Sequence, residues 1–432
     1  MQIYSRARPT RQEQILTAGQ PSYSTLLRNR SFSALWVSQL VSQSGDAVFD
    51  VALLWLVLVT TGSTALVGVT QAAVLLPSVL ASPVAGVYAD RLNRRNLMIA
   101  SNLTQGAVTA VISLFYLSGA LSFPSLIFLV LVLYTGTQFF SAANTAIIPR
   151  IVGKENLGAA NGLFMLSASA NQLASYSVGG IVLATVGAGA SITYDSLTFF
   201  FAAAMLMLIT KTYGQPRGAS AVRETPRSGE KGFWREFREG FHYVRQSRVF
   251  LELIVFGVLV NFFGAGLAVL MAPYVKVWIH GGASVYGFTL ASFALGTIVG
   301  SLAIGKVNFR GYLGRLLFIG VAVTGALVIL AGLVTSIPSA FVIFSLLGAM
   351  LAVINLPINV LVQTQVPGEI LGRAATVMRS LLVASQPVAA VVFGFLAGVT
   401  AIGPLFVYLG FALMIVASLL FIPFVELRRA RY

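Results

Sequence analysis

The 432-residue sequence predicts an all-α integral membrane protein whose twelve helices cross the bilayer as two six-helix halves in parallel repeat. Three observations predict it. First, the chain is 57% hydrophobic and 9% charged, with a mean hydropathy of +0.86, a balance that soluble globular domains lack. Second, it divides into twelve apolar stretches, each near the ~20 residues a helix needs to cross the hydrocarbon. Third, 27 of its 28 Lys and Arg residues lie in the N-terminus, in every second connection and in the C-terminus, and only Lys276 falls in the other set. Translocating basic loops is costly, so the pattern places those connections and both termini in the cytoplasm and the chain, multi-pass, in the cell membrane.

The spans are read at 33–60, 63–88, 97–118, 124–148, 159–186, 189–211, 249–277, 284–306, 312–334, 338–364, 370–398 and 402–425. Pro124, Pro149, Pro338, Pro367, Gly119, Gly187 and Gly403 punctuate their ends. The polar stretch from Tyr213 to Arg248 starts as a Pro-, Gly- and Ser-containing linker. It continues as Phe233-Trp234-Arg235-Glu236-Phe237-Arg238-Glu239-Gly240-Phe241, with the aromatic spacing of an amphipathic helix on the membrane surface. The chain is therefore divided into a cytoplasmic tail at 1–30, a six-helix bundle at 31–212, a basic linker at 213–248, a second bundle at 249–425 and a short tail at 426–432. The Arg-rich first 30 residues have no apolar core, so a flexible tail fits them better than a secretory signal.

The net charge of +15 does not point to nucleic acid, because the basic residues sit in short loops beside membrane spans, where topology and anionic lipid account for them. With no cysteine and only His242 and His280, in separate loops, the chain offers no disulfide framework and no metal centre. No phosphate-binding Gly-x-x-x-x-Gly-Lys-Ser/Thr loop is present, and no nucleophile, base and orienting group can be assembled. Neither an enzyme nor a cofactor is indicated.

The halves resemble each other. A shift of 214 residues, without gaps, superposes Gly86 on Gly300, Glu155 on Glu369, Leu157-Gly158 on Leu371-Gly372, Gly180 on Gly394, Gly189 on Gly403 and Tyr194 on Tyr408. Between the second and third spans the chain reads Gly86-Val87-Tyr88-Ala89-Asp90-Arg91-Leu92-Asn93-Arg94-Arg95. In residue type, spacing and position this is similar to the loop signature of the major facilitator superfamily, whose fold is two six-helix halves. Phe32 to Gln39 leading to Ser44-Gly45-Asp46, Ile148 to Val152 followed by Ala159-Ala160-Asn161, Ser284-Val285-Tyr286-Gly287, and Gln363 to Pro367 followed by Gly372-Arg373 narrow the resemblance to its drug, macrolide and siderophore exporters. The resemblance implies that Gly86, Asp90, Arg91, Arg94 and Arg95 form a gating loop that holds the halves together in one conformation. Taken alone, Gly86 would permit close helix contact. The antiporter motif Gly-Pro-x-x-Gly-Gly of the fifth span is incomplete: here Ser175-Tyr176-Ser177-Val178-Gly179-Gly180 lacks the leading Gly-Pro.

Asp46, Asp50 and Asp195 lie inside apolar spans, where a carboxylate costs roughly 2.5–3.5 kcal/mol and usually serves a task. Asp46 and Asp50, four apart, share a helix face. Two close carboxyls in an apolar medium favour sharing a proton over ionising together, so this pair is the candidate for proton coupling. A hydrogen-bonding anchor beside Gly45 is the plainer role for Asp46. Asp195, read near the outer end of the sixth span, suits a structural cap, and Glu252, at the start of the seventh, suits snorkelling to the surface. Asn355, Asn359 and Gln363 form a polar stripe on the tenth span. With Asn144 and Asn261 they are the candidates for a substrate cavity.

The expectation is a monomeric secondary transporter, in contact with lipid, that exports an amphipathic small molecule by alternating access in exchange for protons. An uncoupled lipid or metabolite facilitator, or a sensor that binds a partner through 213–248, are the alternatives. The topology has a direct test. Because the chain has no native cysteine, single cysteines placed at Gly153 and Gly281 should react with an impermeant maleimide from opposite compartments, and labelling of both from one side would refute the topology.

Overall fold

The computed structural model describes residues 23–153, 155–215, 238, 241–242, 245–305, 313–365 and 371–429, the side chains at 23–24, 362–365, 371–376 and 428–429 excepted. Among these residues the chain is almost entirely helical. The long helices are α1 (Arg30–Thr61), α2 (Thr64–Leu80 with Ser82–Arg91, bent by 46°), α3 (Arg94–Leu117), α4 (Phe123–Val152), α5 (Leu157–Thr185) and α6 (Ala188–Leu206) in the first half. The second half holds α7 (Arg248–Pro273, continued by a π-helical turn at Tyr274–Trp278), α8 (Ala283–Ile304), α9 (Leu313–Leu333), α10 (Ile337–Gln365), α11 (Leu371–Ala384 with Gln386–Val399) and α12 (Ile402–Phe421). Every helix end falls within five residues of the position read from hydropathy, the largest gap being Leu206 against 211. Nine described spans pass for membrane-crossing by length and hydropathy, and the bent α2 makes ten. The other two, α5 and α6, carry Ser, Asn, Gln, Tyr and Asp among their apolar residues. Nearly all of the proposed surface helix at 233–241 lies outside the described residues.

Local chemistry sets the ends. Asn29, Ser63 and Asn93 accept hydrogen bonds from the first free amides of α1, α2 and α3, and Ser122 and Ser125 form a reciprocal capping box on α4. Gly62, at φ 66°, turns the chain out of α1 in the left-handed region that other residues avoid.

Hydrogen bonds gather the basic connections at one end of the bundle. Asn29 Nδ2 donates to Ile151 O (3.1 Å), the Ser31 hydroxyl meets Thr210 (3.2 Å), Arg95 donates to Met207 O (2.6 Å), and Arg150 donates to Gln215 O. Glu252 belongs to the same end and corrects the snorkelling expectation. It is buried, accepts from Leu427 N (2.8 Å) and sits 3.4 Å from Arg248, so it caps the helix Val425–Arg429. The orphan amides of that helix supply a partner that local sequence does not reveal.

The halves meet through two helix pairs, α2 with α11 and α5 with α8. Both seams depend on glycine and lie toward the opposite end. A Cβ built on Gly68 would stand 2.4 Å from Ala390 O and 2.9 Å from Gly394 Cα, and one on Gly180 would stand 2.7 Å from Gly287 Cα. Lipid gives helices no hydrophobic reason to associate, so close backbone approach supplies the adhesion. Trp55 stacks on Tyr286 (5.6 Å, 19°) beside the second seam, and Lys276 Nζ reaches Leu58 O at the end of α1 (3.4 Å). The cation there meets the negative pole of a helix. The structure is thus sealed away from the arginine-rich end.

At the arginine-rich end a Cβ on Gly86 would meet none of the described residues within 4 Å, so among them the glycine makes no close contact in this conformation. The seal at the other end has a measurable consequence. Gly68→Leu overpacks a backbone contact at a cost of about 1–3 kcal/mol, a roughly 5- to 150-fold shift against the sealed form. Spin labels at Gly62 and Thr400 should then show a longer distance population than in the parent protein, and an unchanged distribution would refute the seal.

Candidate functional site: two related cavities

Each half contains a cavity. In the first, α1 and α5 enclose about 310 Å³ lined by Gln43, Asp46, Ala47, Asp50, Gln172 and Tyr176, among others. Asp46 and Asp50 project from one face of α1, as their four-residue spacing requires. Tyr134 of α4 donates its hydroxyl proton to Asp50 (2.5 Å), and Gln172 Nε2 donates to Tyr176 (3.0 Å). The pair is partly exposed to the cavity, so the structure brings Asp46 and Asp50 together where solvent and a proton can reach them.

In the second half, α7, α10 and α11 with parts of α8, α9 and α12 line about 320 Å³, within the usual range of ligand sites. Gln71 and Leu75 of α2 add a wall from the other half. The lining is aromatic and aliphatic, from Phe256, Phe263 and Phe293 to Leu347 and Ile354. Its polar groups are uncharged: Gln71, Asn261, Thr324, Asn355 and Gln386. Asn261 donates to Gly257 O (2.9 Å) and accepts from Gln386 Nε2 (2.8 Å), which ties α7 to α11.

The two cavities are copies of one site. The same 214-residue shift lays Gln43, Asp46, Ala47, Asp50 and Gln172 on Gly257, Val260, Asn261, Gly264 and Gln386, and all ten residues line their half's cavity. At each position one half carries what the other omits, except for the shared glutamine. The carboxylates are confined to the first half.

Of the five cavity candidates, Asn261 and Asn355 line the second cavity. Asn359 is exposed and donates to Asn355 O (3.0 Å) one turn earlier, outside the residues that line it. Asn144 lies in the first half and accepts from Gln39 Nε2 (2.8 Å), where it pins α4 to α1. The side chain of Gln363 lies outside the described residues. Gln71, Tyr134, Gln172 and Gln386 were missed from sequence, although the coincidence of Gln172 with Gln386 was there to be read. In the loop after α2, Asp90 pairs with Arg94 (3.7 Å) and is exposed, as is Arg91, while Arg95 ties α3 to the end of α6. Asp195 is not a cap: it lies seven residues inside α6, fully buried.

A bundle of twelve spans in two repeated halves, each with a cavity at its own α1/α5 or α7/α11 seam, defines a membrane transporter of the major facilitator fold. The chain belongs to the family described as transmembrane secretion effector, which it matches over residues 22–431. It is 25% identical to the MFS-type transporter YvqJ of Bacillus subtilis over 93% of this chain and 94% of that protein. Macrolide efflux protein A of Streptococcus pyogenes is 25% identical over 83% and 87% of the two chains, and the enterobactin exporter EntS of Shigella boydii is 26% identical over 94% and 95%. The nucleoside transporter NupG shares the fold, with a TM-score of 0.72 at 9% identity, covering 91% of this chain and 98% of its own.

The amide pair predicts a specific loss. Gln386→Leu leaves Asn261 Oδ1 without its donor, at a cost of about 1–3 kcal/mol. The variant should lose thermal stability in detergent, whereas Asn359→Leu, exposed and bonded only to its own helix, should lose none measurable.

Proposed function

We propose that the protein exports an amphipathic small molecule in exchange for protons, its two halves rocking about the central cavities. The observation that carries this reading is the chemical divergence of two cavities built on one repeat. The acidic cavity suits a proton, because Asp46 and Asp50 can hold one between them and Gln43, Gln172 and Tyr176 offer the water-like polarity for its passage. The second cavity suits the cargo. Its aromatic walls take an apolar body and its amides take hydroxyl, carbonyl or amide groups, with no fixed charge to demand a counter-ion. The export direction follows the macrolide and enterobactin relatives, both named for outward transport.

The remaining assignments belong to the same reading. The arginine-rich end faces the cytoplasm, by the cost of translocating its loops. Residues 31–212 and 249–425 are the rocking bodies, and 213–248 joins them. The sealed seams then close the outer side, and the loop of Gly86, Asp90, Arg91, Arg94 and Arg95 engages when the inner side closes. Open space over Gly86 in the present state agrees with a contact made only in the other. The protein works as a monomer in contact with membrane lipid.

Reconstitution tests it. In proteoliposomes, substrate efflux should drive proton movement the opposite way, and Asp46→Asn combined with Asp50→Asn should abolish that movement while leaving substrate binding intact. An acid-driven flux that survives the double substitution would sink the coupling and leave an uncoupled facilitator. The cargo class is tested by accumulation of macrolides, siderophores and lipophilic cations in cells with and without the protein, repeated with a protonophore.

A further inference from the structure

Asp195 lines neither cavity, yet it is the least exposed carboxyl among the described residues, with no measurable exposure. Neither carboxyl oxygen has a hydrogen-bond partner among the described residues. It lies against Gly45 of α1: a Cβ on that glycine would stand 2.5 Å from Asp195 Oδ1 and 2.1 Å from Thr198 Oγ1, so the two oxygens converge on one point. The Thr198 hydroxyl donates its proton to the Asp195 backbone carbonyl (2.7 Å). It also lies within reach of the carboxyl, whose oxygens it leaves without a well-formed hydrogen bond.

A bare carboxylate in a dry helix seam, with neither oxygen well hydrogen-bonded, has little compensation for lost water. A neutral carboxylic acid avoids most of that cost. The other groups around it do not change this. From α1, Asp46 and Asp50 interact with it electrostatically, and both would repel a second anion. From α4, Tyr134 is engaged with Asp50. From α3, Gly106 O accepts from Ser196 and the Ser113 hydroxyl meets Thr193, and neither α3 residue ionises. On α6 itself, Tyr194 is bonded to Ser44.

We propose that Asp195 is a second proton-binding site, a neutral carboxyl stored behind α1 and placed in series with Asp46 across Gly45. The transfer is balanced. When Asp46 has released its proton to the cavity, the Oδ–H bond of Asp195 breaks, the proton passes to the Asp46 carboxylate, and Asp195 keeps the electron pair as the anion. The total charge of the pair is unchanged, but the negative charge moves from Asp46 into the seam, so the Asp195 anion is transient and is neutralised again when Asp46 is reprotonated from the cavity and returns the proton. Gly45 is what allows the approach, since any side chain there would separate α1 from α6. The relay rests on the proton-exchange reading above, whereas the stored proton does not.

Infrared spectroscopy of the reconstituted full chain at neutral pH tests the stored proton. The wild type should show the C=O stretch of a protonated carboxyl. The band should persist in the Asp46→Asn, Asp50→Asn double variant and disappear in Asp195→Asn. Thr198→Val should shift its frequency without removing it, which keeps the test available if Asp195→Asn fails to fold. A band that Asp195→Asn leaves in place, or that Thr198→Val leaves at its original frequency, would overturn the assignment. The relay is read from transport: Asp195→Asn should displace the pH profile of exchange with KM unchanged, and a lost band with an undisplaced profile would overturn the series role. A wild type with the Asp195 band but no proton-linked flux would remove the exchange reading and the relay, and leave the stored proton standing.

Discussion

The hydrocarbon interior offers no hydrogen bonds, and that constraint orders the whole molecule. Backbone groups must be satisfied within helices, which is why the described chain is helical nearly throughout. Cations must stay near the surface, so the basic residues collect at one end, where Arg95 and Arg150 donate to Met207 O and Gln215 O and Arg248 pairs with Glu252. Helices must cohere without a hydrophobic drive, and the halves do so by bringing glycine backbones together at Gly68 with Gly394 and Gly180 with Gly287. The same constraint makes each buried polar side chain costly, and several are held by bonds across helices, as Gln39 is with Asn144 and Gln386 with Asn261.

The incomplete helix-5 motif fits this picture. Gly179 and Gly180 are retained, and both are occupied: a Cβ on Gly179 would stand 3.1 Å from Val48 Cα, and Gly180 forms the α5–α8 seam. The glycines serve the packing of α5 against α1 and against the other half at once. The missing Gly-Pro falls at Ser175 and Tyr176, and Tyr176 instead lines the acidic cavity. The departure from the motif thus adds a hydroxyl to the site without opening the seam.

The helices and the grouping of the basic loops were legible in the sequence, because bilayer thickness sets helix length and charge cost sets loop composition. The facing of Asp46 and Asp50 was legible too, since it depends only on helix periodicity. What was not legible depends on which helices converge. Tyr134 reaches Asp50 across 84 positions and Leu427 reaches Glu252 across 175, and no local pattern announces either contact. Asn144 and Asn261 looked equivalent as lone asparagines in apolar helices, yet one pins two helices and the other lines the cavity as well. Asp195 was misplaced because Tyr194 beside it suggests an interface, whereas α6 begins at Ala188 and carries the carboxyl well inside.

The internal repeat gives the site its logic. A duplicated helix bundle begins with two equal cavities, and equal cavities would respond alike to proton and cargo. Here one copy holds carboxylates where the other holds Val260 and Gly264, and the other gains Asn261 where the first keeps Ala47. On the exchange reading, proton and cargo then occupy different bodies and influence each other only through the conformational equilibrium that both bodies share. Each ligand shifts that equilibrium by its difference in affinity between the two states, and the coupling is reciprocal. Such an arrangement tolerates wide variation in the cargo cavity, because replacing an aromatic wall there leaves the carboxyls of the first half untouched. It tolerates no side chain at Gly45 in the α1–α6 seam, where Asp195 and Thr198 occupy the space a Cβ would need.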